Sequence, residues 1–257
     1  MGPEQMDEIF SQTLTGEYDD ESPWEAVRTL HRIGSREVCD RAAGWCRSDD
    51  PLKRARGADV IAQLGRTVDH PSNNFPEECF SVVSILVQRE KDPLPLLSAV
   101  HALGTIGNPL AVPLLTEHRL HPDADVRFAV ACALGNFAND PRSVDTLLAL
   151  MQDADEDVRD WATFGLGVLG DLDSKEIRDA LWRRMNDSNR DVREESLVGL
   201  GKRKDQRALP VLVAELGQPE ISDRFLEAAQ AFLSETEQAA DRSPGDYVAA
   251  LKKRFAL

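Results

Sequence analysis

The chain has 257 residues, 42% of them hydrophobic and 29% charged, the make-up of an ordinary folded protein in water. Its 30 Lys plus Arg stand against 45 Asp plus Glu, a net charge of −15. That sign puts a general binder of nucleic acid or of anionic membrane at a disadvantage, and 15 aromatics (nine Phe, four Trp, two Tyr) are few for a β-rich domain.

Residues 1 to 22 hold seven acids and no base, so almost half of the net charge lies in this leader. Met6, Ile9, Phe10 and Leu14 form a helical stripe able to cap the first repeat, and Gly16 to Ser22 reads as a mobile acidic link. A leucine then recurs at Leu30, Leu64, Leu103, Leu134, Leu166 and Leu200, with Ala231 in the seventh place. The spacings are 34, 39, 31, 32, 34 and 31, the mark of a repeat protein. The 39-residue step implies an insertion, and Arg66 to Asn74, polar and proline-containing, reads as its surface loop.

The later repeats align in register. Asp125 to Gly135, Asp157 to Gly167 and Asp191 to Gly201 each open on Asp-Val-Arg and close on Leu-Gly. Each period predicts two helices. Runs at Leu110 to Leu120, Val144 to Met151, Ile177 to Met185 and Leu209 to Leu216 supply the first. The second carries an apolar face such as Val126, Val130, Ala133, Leu134 and Phe137. Asp123, Asp155 and Asn189 are its N-caps, and Asp125, Asp157 and Asp191 fall in its first turn, where negative charge suits the helix dipole. Ser243-Pro244 then opens a closing helix over 243–257, with Tyr247, Val248, Leu251 and Phe255 on its apolar side.

Neither helix of a pair can bury its stripe alone, so neighbours must stack. The expected fold is all-α: an α-solenoid, a right-handed superhelix of about seven helix pairs over residues 23–233 forming one cooperative domain. The leader of residues 1–22 would join its cap, and Leu103, Leu134, Leu166 and Leu200 its core. Ala133, Gly165 and Gly199 fit a position where helices approach closely.

The Asp-Val-Arg to Leu-Gly pattern, together with Ala111-Val-Pro-Leu-Leu115, resembles the HEAT-like repeats first associated with phycobilisome lyases. The resemblance covers roughly residues 23–233, with Gly57 and Leu96 standing where the arginine belongs in earlier repeats. It implies an adaptor or scaffold role. It also implies a ladder of Arg127, Arg159 and Arg193 with Asp153 and Asp187 between neighbouring repeats. HEAT-like deoxyhypusine hydroxylases carry recurrent His-Glu pairs, and this sequence has no His-Glu dipeptide. HEAT-like DNA glycosylases depend on a basic concave face, against which the acidic repeats argue.

Motifs for chemistry are few. Gly165 to Gly170 spells G-x-G-x-x-G, but these glycines close a helix instead of opening one, so a phosphate would meet the wrong end of the dipole. His118 and His121 have a metal-compatible spacing without a second ligand pair. There is no G-x-S-x-G, and Lys202-Arg-Lys204 reads as a solvated inter-repeat turn. Cys39, Cys46 and Trp45 read as packing residues. The four cysteines fall in no C-x-x-C pair, which suits a reducing compartment. The N-terminus lacks signal-peptide features, and no apolar stretch approaches the ~18 residues of a membrane span. The expectation is a cytoplasmic monomer that is not an enzyme, with no catalytic residue, cofactor, metal, nucleic acid or membrane.

In a HEAT-like stack the second helices line the concave surface. Stepping about 100° per residue from Val126 points Phe128, and one repeat on Trp161 and Phe164, away from the core or to its edge. Asp160, Glu194 and Glu195 would flank these aromatics. Such a groove suits another protein with apolar anchors and a basic surface. The packing alternative is that Trp161 and Phe164 fill gaps left by Gly165 and Gly199. An inhibitor or immunity-type protein neutralising a basic toxin or nuclease is a second functional reading. A chromophore-lyase subunit is a third, suggested by the resemblance alone.

Overall fold

Short polar side chains start most of the helices. In a computed structural model, which describes residues 2–233 and 243–256, Asp123, Asp155 and Asn189 stand in extended backbone. Each accepts a hydrogen bond from the amide two residues on. Ser35, Asp50, Asp140, Ser174, Ser222 and Ser243 cap other helices likewise, from the second or third amide on.

The helices fall into two compact units, Met1–Phe137 and Ala138–Leu257. The first holds α1 (Pro3–Gln12), α2 (Glu21–Ile33), α3 (Arg36–Trp45), α4 (Pro51–Ala62), α5 (Pro76–Arg89), α6 (Pro93–Ile106), α7 (Ala111–Glu117) and α8 (Ala124–Gly135). The second holds α9 (Pro141–Leu150), α10 (Glu156–Phe164), α11 (Lys175–Arg184), α12 (Arg190–Lys202), α13 (Leu209–Glu215), α14 (Asp223–Phe232) and α15 (Pro244–Phe255). Among the described residues there is no strand. Consecutive helices pair among the described residues, seven pairs from α1–α2 to α13–α14, and α15 closes on the last pair. Within each unit every second helix packs on the next second helix, α2–α4–α6–α8 and α10–α12–α14, which is α-solenoid stacking. Leu30, Leu64, Leu103, Leu134, Leu166 and Leu200 are all buried. In the last repeat the buried leucine is Leu233, while Ala231 is partly exposed.

The arginines explain why the pattern repeats. Arg54, Arg127, Arg159 and Arg193 each follow their N-cap by four residues. Each guanidinium donates to the two carbonyls just before that cap, at 2.7 to 3.1 Å. The expected ladder shows in a rung between repeats: Arg159 donates to both Asp187 oxygens at 3.0 Å. Arg54 makes the equivalent rung with Glu90, at 2.6 and 3.1 Å. The arginine position of α4 is therefore Arg54 and not Gly57. Gly57 is where α3 and α4 touch, and a Cβ there would lie 2.8 Å from the Ala42 carbonyl oxygen. Close approach in the second unit joins Gly199 to Gly167, two residues beyond Gly165. A Cβ on Gly199 would lie 2.6 Å from the Gly167 Cα.

The glycine-rich run continues α10 as a π-helical turn, Gly165–Leu169, closed by the Gly170 amide on the Gly165 carbonyl at 2.8 Å. Its C-terminal carbonyls are capped from α12. Arg203, only 5% exposed, donates to the carbonyls of Leu166, Gly167, Gly170, Leu172 and Gly199 at 2.7 to 3.2 Å. Lys202 and Lys204 also donate to carbonyls, those of Val168 and Ala231. Lys202 and Lys204 stay exposed as a solvated turn requires, while Arg203 is buried and spent on helix ends.

The acidic leader is no loose link. Met6, Phe10 and Thr13 are buried, and the Phe10 ring meets Trp45 edge-on at 4.9 Å. Gly16 turns at φ +67°, the Asp20 carboxylate accepts the Glu17 amide at 2.9 Å, and Tyr18 docks into the first unit. The inserted loop between α4 and α5 is pinned as well: Asn73 donates to the Ile61 carbonyl at 2.7 Å and Asn74 to that of Gly34 at 2.8 Å.

Candidate interaction site on the second helices

Counted from the N-caps, Arg56, Ser98, Ala129, Trp161 and Glu195 are all sixth residues, and Asp59, His101, Cys132 and Phe164 are ninth. The stacking of second helices within each unit places these positions on one face.

In the first unit the leader already covers part of that face. The Tyr18 hydroxyl donates to Asp59 at 2.9 Å and lies 2.8 Å from the Ser98 hydroxyl. Arg56, 1% exposed, lies over the Tyr18 ring at 4.1 Å and the Trp24 ring at 5.0 Å. It donates to the Thr13 and Tyr18 carbonyls at 2.9 and 2.6 Å and pairs with Asp59 at 3.3 Å. Phe128 belongs to this unit, where it meets His101 edge-on with centroids 6.4 Å apart. Burial pushes the His101 imidazole below its ordinary pKa.

The second unit carries a different set. Trp161 is 38% exposed and meets Phe164 edge-on, with centroids 5.5 Å apart. Arg224 of α14 lies over the Phe164 ring at 5.5 Å and pairs with Glu195 at 3.0 Å and Glu227 at 3.2 Å. The Asp160 Oδ1 and Glu195 Oε2 atoms are buried without a hydrogen-bond partner. Burial pushes the Asp160 carboxyl up to about 6, with Asp191 and Asp157 adding and Arg224 opposing. Burial likewise pushes Glu195 up to about 7, against Arg224 and helped by Asp160 and Glu227.

Of the six residues predicted to form the groove, Asp160, Trp161, Phe164 and Glu195 come together within the second unit, and Phe128 belongs to the first. Glu194 and Glu195 were expected as exposed flanking acids, but both are 7% exposed. The helical wheel of one helix omits the neighbour that covers it. Glu194 is fully engaged, accepting from Arg190 Nε at 2.7 Å and from the Ser222 hydroxyl at 2.6 Å, so it ties α12 to the N-cap of α14. Arg224 and Glu227 escape sequence reading because α14 lacks the Asp-Val-Arg opening. Ser222 as an N-cap is the available signal. Near His118 and His121, His121 Nδ1 accepts the Asp123 amide at 3.2 Å. Among the described residues no group of three His, Cys, Asp or Glu side chains could hold a metal ion.

The raised carboxyls tie stability to pH. Unfolded, Glu195 gives up its proton near 4.5; folded, it holds it to about 7. Its contribution is therefore complete below 4.5 and is lost as pH rises through about 7. Glu195→Gln should thus stabilise the fold at pH 8 by about 1–2 kcal/mol and leave it unchanged at pH 4. Urea midpoints at the two pH values measure this, and equal effects at both would remove burial of the charge as the cause.

Comparison with known proteins agrees with this architecture. Residues 81–167 and 153–232 match the family model for HEAT repeats, more than half of the chain. The chain belongs to the HEAT-repeat family. The Arg54 geometry extends the HEAT pattern one repeat before the matched region. Protein YibA of Escherichia coli K12 is 26% identical over 229 residues, covering 87% of this chain and 79% of YibA. The crystal structure of the Escherichia coli protein superposes with a TM-score of 0.73 at 23% identity, over 97% of this chain and 92% of that one. A HEAT-like repeats protein from the archaeon Thermococcus onnurineus NA1 gives a TM-score of 0.57 at 14% identity, over 98% and 99%. A designed armadillo repeat protein in complex with a (KR)4 peptide gives 0.50 at 16% identity, over 76% and 98%. These likenesses establish a shared HEAT or armadillo-like fold. Among the described residues no helix is long and apolar enough to cross a membrane.

Proposed function

We propose that this HEAT-repeat chain is a non-enzymatic adaptor. It holds a protein partner of positive surface potential on the second-helix face of its second unit, at Asp160, Trp161, Phe164 and Glu195. The observation that carries the reading is the exposed Trp161 edge beside two buried carboxylate oxygens that lack partners. Aromatic anchors next to desolvated acids are the chemistry of a protein interface, and a net charge of −15 speeds encounter with a basic partner at low salt. The thiols offer little for catalysis: Cys39, Cys46 and Cys79 are buried, and burial pushes Cys46 up to about 12. Four free cysteines fit a monomer working in the reducing cytoplasm.

Affinity capture with the full chain, followed by cross-linking and peptide mapping, tests the proposal. Cross-links should fall on α10, α12 and α14, and Trp161→Ala should weaken retention by ~30-fold, the loss of about 2 kcal/mol at an anchor, with an unchanged helical spectrum. Retention indifferent to Trp161, or cross-links confined to the first unit, would overturn it.

A further inference from the structure

We infer that Cys39 and Cys79 form a reversible oxidation site, at which a hydroperoxide joins the two thiols in a disulfide that ties α3 to α5. The inference concerns the first unit alone and does not rest on the adaptor reading.

The two sulfurs lie 4.0 Å apart, and both side chains are buried. Each cysteine is the fourth residue after the N-cap of its helix, Ser35 for α3 and Phe75 for α5. Corresponding places on two helices in contact thus carry the same oxidisable side chain. A disulfide holds its sulfurs about 2 Å apart, so each has to move by about 1 Å.

The contact gives the two thiols different tasks. The hydrogen bond with Cys79 holds Cys39 below the ordinary thiol pKa; Arg36 helps, while burial, Glu78 and Asp40 oppose. The same hydrogen bond, with burial next, pushes Cys79 up. Cys79 also reaches a second acceptor, Asn73 Oδ1, at 3.5 Å. Cys39 is therefore the attacking thiolate, and Cys79 the resolving thiol that keeps its proton until the second step.

The Cys39 thiolate takes the terminal oxygen of the hydroperoxide as the O–O bond breaks. Cys39 becomes a sulfenic acid, and the other oxygen leaves with the Cys39 proton as an alcohol, or as water from hydrogen peroxide. The Cys79 sulfur then attacks the sulfenic sulfur, the S–S bond forms, and the sulfenic oxygen leaves as water with the Cys79 proton. Two thiols have lost two electrons to the peroxide. Burial makes both oxidation and reduction slow, because each reagent enters on local opening of the fold. The bond spans 40 residues of chain, including α4 and the inserted loop, and so restricts the unfolded state.

The test treats the folded full chain with hydrogen peroxide for hours, then alkylates it in denaturant and maps its peptides. Two of the four thiols should escape alkylation, in a single cross-linked pair holding Cys39 and Cys79. The urea midpoint should rise by about 1 M, and a dithiol reductant should reverse both changes. Cys46→Ser and Cys132→Ser should keep the cross-link. Cys79→Ser should lose it and leave added oxygen on Cys39, with unchanged circular dichroism. Should that variant fail to fold, the wild-type map decides alone. Four thiols still alkylated, a cross-link through Cys46 or Cys132, or oxygen on Cys39 of the wild type without a cross-link would each overturn the inference. So would a Cys39–Cys79 bond that leaves the urea midpoint unmoved.

Discussion

Arg203→Met should lower the stability of the second unit by about 3–5 kcal/mol. The guanidinium is 5% exposed and serves five carbonyls: Leu166 and Gly167 in the π-helical turn, Gly170 and Leu172 after it, and Gly199 in α12. Burial pulls its pKa below the ordinary arginine value, partly offset by Asp173. Carbonyl dipoles at a helix C-terminus do for this cation what a carboxylate does elsewhere. Methionine fills the space but donates nothing, so several buried carbonyls lose their partner together. Arg203→Lys should fall between, because an ammonium cannot reach the same set. Urea unfolding followed by circular dichroism should show a lower midpoint with an unchanged slope. A loss below about 1 kcal/mol would mean that these carbonyls find other donors.

Arg56→Met should cost the first unit a similar amount, about 3–5 kcal/mol at pH 8, because it leaves the Asp59 carboxylate buried without its cation. Burial already pushes Asp59 up to about 6, with Tyr18 and Arg56 opposing. A raised carboxyl favours the fold below its unfolded value of 3.8 and loses that contribution as pH rises through about 6. Without Arg56 the penalty on the ionised form grows, so the damage should be greatest above pH 6 and shrink toward pH 4. The Thr13 and Tyr18 carbonyls lose their donor as well, which frees the leader. Limited proteolysis should then cut near Gly16 in the variant faster than in the wild type. A pH-independent loss would place the effect in packing against Tyr18 and Trp24 instead of in charge.

Both residues are hidden in the sequence for one reason. Arg203 sits in a cluster with Lys202 and Lys204, and Arg56 lies three residues before Asp59 on a helix whose register is counted from Leu64. Charge runs and single-helix wheels treat a cation as solvated unless something local pairs with it. Here the carbonyls that decide the burial lie far along the chain, in the preceding repeat for Arg203 and in the leader for Arg56, although Asp59 and Gly199 are near neighbours. The early arginine register slips for a related cause: Leu64 lies past the end of α4, where the inserted loop begins, so counting back from it reaches Gly57 instead of Arg54. Glu194 and Glu195 are misplaced by the wheel because their cover comes from α14.

What the sequence by itself determined is everything with a short range: helices paired at a period near 32, N-caps at Asp123, Asp155 and Asn189, buried leucines from Leu30 to Leu200, and a glycine run that closes a helix. These follow from backbone geometry and hydrophobic spacing, which act over a few residues. Only the tertiary structure decided which charges are buried, that the acidic leader docks through Tyr18, and that Asp160 and Glu195 keep two oxygens without partners. Those outcomes depend on side chains that separate elements bring within about 3 Å, and no local pattern encodes that distance.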